Sequence, residues 1–149
     1  MSNIRIVLAT DHAGFELKES VKKYLLNLNY DVKDFGAFEY EPTDDYPDFI
    51  NPAAKFISEN DNTMGIIFGG SGQGEAMAAN RFNGVRAAVF YDGPDEIIDL
   101  SRLHNNANVL SLGSRFIKPE RAIDLVKQWL SVEFEGGRHQ KRIEKLDSH

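Results

Sequence analysis

Short apolar runs alternate with amphipathic stretches along this chain. Ile4 to Ala9 (IRIVLA) is nearly all apolar, which suits a strand buried on both faces. Thr10 to Gly14 breaks the run, and from Phe15 the apolar positions take up helical spacing. Phe15, Leu17, Val21, Tyr24, Leu25 and Leu28 form one stripe, with Lys and Glu between them. Asp31 to Phe35 (DVKDF) alternates like a second strand, and Gly36 closes it. The segment from Ala37 to Pro47 is polar and turn-rich. Pro47 is a good first helical residue, and the helix it opens is carried to Ser58, with Pro52 near its front.

Met64 to Phe68 (MGIIF) is a third buried strand. It runs into Gly69-Gly70-Ser71-Gly72-Gln73-Gly74 and then a small-residue helix over Glu75 to Asn80. Val85 to Phe90 reads as a fourth strand, followed after Gly93-Pro94 by a helix over Asp95 to Leu103. Asn108 to Leu112 is a fifth strand, Pro119 opens a helix reaching Leu130, and a last helix runs from about Gly137 to Leu146. Strands alternating with helices imply βαβ units and a mostly parallel sheet covered on both faces. The expected architecture is one α/β domain over residues 1–149, without repeats or linkers.

Composition narrows the function classes. A length of 149 residues fits a single domain, and 42% hydrophobic with 27% charged residues fits a soluble globular protein. The absence of cysteine excludes disulfides, thiolate metal sites and cysteine nucleophiles. Seventeen basic against 23 acidic residues give a net charge of −6, which argues against nucleic acid as a partner. No apolar segment reaches the ~18 residues of a membrane helix, and the N-terminus lacks the features of a signal peptide. A cytoplasmic protein with no membrane partner is expected.

Ligands of such sheets bind outside the carboxyl ends of the strands. Gly69–Gly74 holds four glycines in six residues at one such end. Glycine lets the backbone approach a ligand closely, and successive N–H groups make an anion-binding concavity. The loop matches neither a P-loop nor G-x-G-x-x-G, since Glu75 stands where the last Gly would be. Nor is it a nucleophile elbow, since Gln73 replaces the closing Gly. It is either a packing connector or an anion cradle. Glu75 is either an ordinary partner of the helix dipole or a general base held ionised by it. Asp11-His12 and His104-Asn105 are read as lying at the same ligand-bearing edge, where His can exchange protons near neutrality. Neither His has metal-site spacing, so no metal is expected. Arg138 and Arg142 share one helix face, which suits either a phosphate or a solvated basic surface. Arg115 is a third candidate cation. Tyr46 sits in a turn or covers a polar ligand.

The segments ATDHAGFELKE, DYPDF, GGSGQGEAMAANR, RLHNNANVLSLGSR and SVEFEGGRHQKRI occur in the order in which similar segments occur in the ribose-5-phosphate isomerase type B family. That family also includes galactose-6-phosphate isomerase subunits. The resemblance spans Ile4 to Ile143. It implies a Rossmann-like three-layer sandwich with a five-stranded parallel sheet, and a homodimer with shared active sites that in many members pairs into a tetramer. It also implies cofactor-free interconversion of ribose 5-phosphate and ribulose 5-phosphate through an enediolate, in the pentose phosphate pathway. Many members carry a cysteine base where this chain has Gly69. Glu75 occupies the base position of a second, glutamate-bearing branch.

Carried over by position, the resemblance implies that His104 opens the sugar ring while Asp11 and Ser71 hold hydroxyls. Glu75 then moves the proton between C2 and C1. The backbone of Gly70, Ser71, Gly72, Gln73 and Gly74 would stabilise the oxyanion. His12, Arg115, Arg138 and Arg142 would bind the phosphate, and Tyr46 and Asn105 would complete the pocket. A hexose 6-phosphate as substrate, or a non-catalytic binding module on the same sheet, are the alternatives. The module has no need of both Glu75 and His104.

Overall fold

The computed structural model describes residues 4–149; the first three positions of the expected domain lie outside the described residues. Five strands form one parallel sheet: β1 (Arg5–Thr10), β2 (Asp31–Asp34), β3 (Thr63–Gly69), β4 (Ala87–Phe90) and β5 (Val109–Gly113), in the order β2-β1-β3-β5-β4. The helices are α1 (Phe15–Asn27), α2 (Pro47–Glu59), α3 (Gln73–Ala79), α4 (Glu96–Leu103), α5 (Pro119–Ser131) and α6 (Arg138–Glu144).

Side chains alternate across a strand, so the continuous apolar run of β1 feeds two cores at once. Ile6 and Leu8 join Ile66, Phe68, Leu110 and Leu112 beneath α1, α4 and α5. Val7 and Ala9 join Ile67 and Val109 beneath α2 and α3. The three-layer α/β sandwich read from the sequence is therefore the fold, and among the described residues no helix is long and apolar enough to cross a membrane.

The chain leaves β1 for β2 on one side and returns to pair β3 on the other. The crevice outside the carboxyl ends of β1 and β3 is thus a topological switch point, where such sheets bind ligands.

Three boundaries differ from the sequence reading for local reasons. Pro52 lies inside α2 rather than at its front. An internal Pro costs a helix about 3 kcal/mol, and the burial of Ile50, Ala53, Ala54 and Ile57 on one face outweighs it. β4 begins at Ala87, not Val85, because side chains take the earlier backbone groups. Arg86 N donates to Asn108 Oδ1, and the Asn80 amide bonds both N and O of Ala87. Helix α3 begins at Gln73, because Gly72 turns the chain at φ +81° and its carbonyl accepts from Ala76 N.

Candidate active site

At the carboxyl edge the glycine loop is fixed by the segment just beyond β5. Ser114 Oγ donates to the carbonyls of both Gly69 and Ala13, and Ser114 N also donates to Gly69 O. Arg115 N donates to Gly70 O, and Ser111 Oγ to Gly72 O at 2.6 Å. In a planar trans peptide the N–H points opposite to the C=O. Carbonyls anchored toward the β5 segment therefore turn the N–H groups of Gly70 and Ser71 away from it. Two side chains rest directly on this backbone. A Cβ added at Gly74 would meet Tyr46 Cζ and Oη at 2.7 Å, and one at Gly70 would meet the Arg115 guanidinium at 3.1 Å.

Glu75 is 5% exposed, and its carboxyl group fills the space a side chain at Gly69 would occupy. Burial raises its pKa, its own N–H opposes the shift, and the charge of Asp11 adds to it. Asp11, 7% exposed, is also raised by burial, although it accepts from Ala13 N and lies near the His12 charge. These two carboxyl groups, one following β1 and one in the first turn of α3 after β3, lie close enough that the charge of Asp11 acts on Glu75. A carboxylate moved up toward neutrality is a stronger base than a free one.

Beside them opens a cleft of about 560 Å³, lined by His12, Glu16, Tyr40, Ser114 and Arg115 among others. His12 Nδ1 lies 2.6 Å from Asp44 Oδ1, and the Tyr40 ring stands edge-on to the imidazole at 6.0 Å. Gln73 does not join this cleft; it lines a separate hollow with Tyr91 and Ile97.

The remaining candidates lie elsewhere, which corrects the reading of both histidines as residues of one edge. His104 follows α4 and precedes β5, so in a parallel sheet it lies at the amino end, opposite the glycine loop. There His104, Asn105, Arg138 and Arg142 line a second cleft of about 320 Å³ with His139, Ile143 and Leu146. The His104 and His139 rings stack at 4.3 Å, and both Nε2 atoms approach Glu135, at 3.8 and 3.6 Å. His139 is buried, which lowers its pKa, as do the neighbouring charges of His104, Arg138 and Arg142.

Among the described residues, two donor groups are close enough to consider for a metal: His104, Glu135 and His139, and Asp11, His12 and Asp44. In the first, the rings are within 16° of parallel, so their lone pairs do not converge on one ion. In the second, His12 and Asp44 are bonded to each other. Neither arrangement suits a metal better than it suits hydrogen bonding.

Sequence reasoning missed Asp44, Ser114, Glu135 and His139. His139 stands between the two flagged arginines, and Ser114 adjoins Arg115, so proximity was the available signal for both. Nothing in the order of residues signals that Asp44 pairs with His12, 32 positions away.

Fold and site together define an α/β protein that sets a buried carboxyl group, Glu75, near a cleft lined by His12 and Arg115 at the switch point of its sheet. Residues 6–146 match the family model described as Ribose/Galactose Isomerase, and the chain belongs to that family. A Mycoplasma pneumoniae protein named "Probable ribose-5-phosphate isomerase B" is 44% identical over 144 residues, covering 97% of this chain and 93% of that protein. The crystal structure of ribose-5-phosphate isomerase B from Mycoplasma genitalium with bound ribulose-5-phosphate superposes with a TM-score of 0.93 at 39% identity, covering 98% of this chain and 95% of that one. The Thermotoga maritima ribose 5-phosphate isomerase gives 0.92 at 42% identity, covering 99% and 100%.

Proposed function

We propose that this chain interconverts ribose 5-phosphate and ribulose 5-phosphate, with Glu75 as the base. The observation that supports the assignment best is the Glu75 carboxyl group, buried in the room that Gly69 leaves. A structural glutamate gains nothing from such a place, whereas a proton carrier gains basicity from it.

In this reading the phosphate sits in the cleft of His12 and Arg115, and Asp11 and Ser71 hold sugar hydroxyls. Ring opening yields the aldehyde, and Glu75 takes the C2 proton as the electron pair forms the C1–C2 double bond. The negative charge gathers on O1, facing the N–H groups of Gly70 to Gly74. The hydroxyl proton passes from O2 to O1, and Glu75 returns its proton to C1, leaving the ketone at C2. Tyr46 closes the pocket over Gly74.

Ring opening is assigned to His104, and the rest of the phosphate grip to Arg138 and Arg142, with Asn105 beside the sugar. All four lie at the amino end of the sheet, so a second copy must supply them. The assembly is a homodimer with two shared sites; Tyr91, Ile97 and Phe116 offer it exposed apolar surface. The charged, cysteine-free composition fits a cytoplasmic enzyme.

Incubation of the purified protein with ribose 5-phosphate in EDTA tests the reading. Ribulose 5-phosphate is expected to form until equilibrium. Absence of conversion, with turnover of a hexose 6-phosphate instead, would reassign the substrate; absence of both would reject the isomerase.

A further inference from the structure

Asp44 lies in the loop between β2 and α2, with its side chain only 10% exposed. Its Oδ1 accepts from both His12 N, at 3.0 Å, and His12 Nδ1, at 2.6 Å, while its buried Oδ2 has no hydrogen-bond partner. A carboxylate so far from water requires a counter-charge, and the only cationic side chain in contact with it among the described residues is His12. The bond to Nδ1 leaves Nε2 as the ring nitrogen available to a ligand in the cleft that His12 shares with Arg115.

We propose that Asp44 is a positioning residue: it orients the His12 ring and keeps it cationic, so that His12 binds the substrate's phosphate as an imidazolium. This rests on the assignment of the cleft as the phosphate site.

The groups around His12 agree. The Asp44 bond raises its pKa, with the Asp11 and Asp44 charges adding and burial and Arg115 opposing. Glu16 of α1 lines the same cleft, and Tyr40 contributes an uncharged ring edge. A histidine with a raised pKa keeps its charge above the usual value of about 6.5 and loses it only as pH climbs through the higher one. Phosphate monoesters are dianionic above about pH 6, so a raised imidazole pKa widens the pH range in which cation and dianion meet.

The test compares Asp44→Asn with wild type on ribose 5-phosphate at pH 6.5 and pH 8. Asn keeps the shape and the acceptor and removes the charge. KM is expected to rise at both pH values, within about threefold at pH 6.5 and by more at pH 8, up to about tenfold, the size of one charge-assisted hydrogen bond. The effect on kcat is expected to stay below about threefold. In a His12→Gln background, Asp44→Asn should add nothing. A KM increase equal at both pH values, or a full additional effect without His12, would overturn the proposal. Independently of any variant's folding, NMR titration of the wild-type imidazole should place His12 above about 6.5; titration at or below that value would also overturn it. A wild-type enzyme without turnover of any phosphosugar removes the underlying assignment itself, a result that the titration does not mimic.

Discussion

Glu75 is held where its ionised form is disfavoured. Its carboxyl group is buried beside Gly69, and burial together with Asp11 raises its pKa in the folded protein. The unfolded chain releases this proton near the ordinary value, and the folded chain holds it to higher pH. The folded state is therefore favoured in acid, and that advantage is lost as pH rises through the folded pKa. Glu75→Gln removes the ionised form from the interior. It is expected to abolish turnover, spare phosphate binding and raise the melting temperature at pH 7, with the gain vanishing near pH 4. Calorimetry at the two pH values checks the sign, and a variant less stable at pH 7 would contradict it. Sequence alone identified Glu75 but left the direction of its shift open, because dipole and burial oppose each other and only packing decides between them.

At the scale of elements, the loop that carries Asp44 and Tyr46 starts from a buried ion pair. Lys18 of α1 is fully buried and meets Asp34 of β2 at 2.8 and 2.7 Å; Asp34 also accepts from Lys22 Nζ and Gly36 N. Burial alone would raise the Asp34 pKa, but the Lys18 bond, the Gly36 N–H and Lys22 outweigh it and hold it low. Its contribution to stability is present above the unfolded value of 3.8 and lost as pH falls through the folded one. Lys18→Met leaves the carboxylate without its main partner and is expected to cost about 3–5 kcal/mol in urea unfolding at pH 7. A loss below about 1 kcal/mol would assign Lys18 to packing rather than charge. The hydrophobic pattern placed the five strands and six α-helices within a few residues, since apolar periodicity records which face is buried; the 3-10 turn at His12–Gly14 carries no such pattern. The pattern left Lys18 as one of the lysines between the apolar positions of α1, because a lysine reports its usual environment and not the aspartate that a sheet crossover brings beneath it.

For the whole molecule, the same limit separates the residues of the site from their arrangement. Glu75, Asp11, His12 and Arg115 were legible together because each follows a strand, and strand ends converge at one edge of a parallel sheet. His104 and Arg138 were legible as chemistry but not as location: they precede β5 or follow α5, which puts them at the other edge. β5 alone spans about 16 Å at ~3.3 Å per residue over its five residues. If both sets serve the proposed reaction centre, one subunit cannot bring them together, whereas a two-fold axis would bring each edge against the other's counterpart twice. Complementation between two inactive variants decides the matter. In a Glu75→Gln and His104→Asn mixture allowed to exchange subunits, half the dimers are mixed, and each mixed dimer regains one intact site. About a quarter of wild-type activity is then expected from two preparations that have almost none separately. If both residues served the same site from one subunit, every site in the mixture would keep one lesion, and activity would stay at the level of the separate variants.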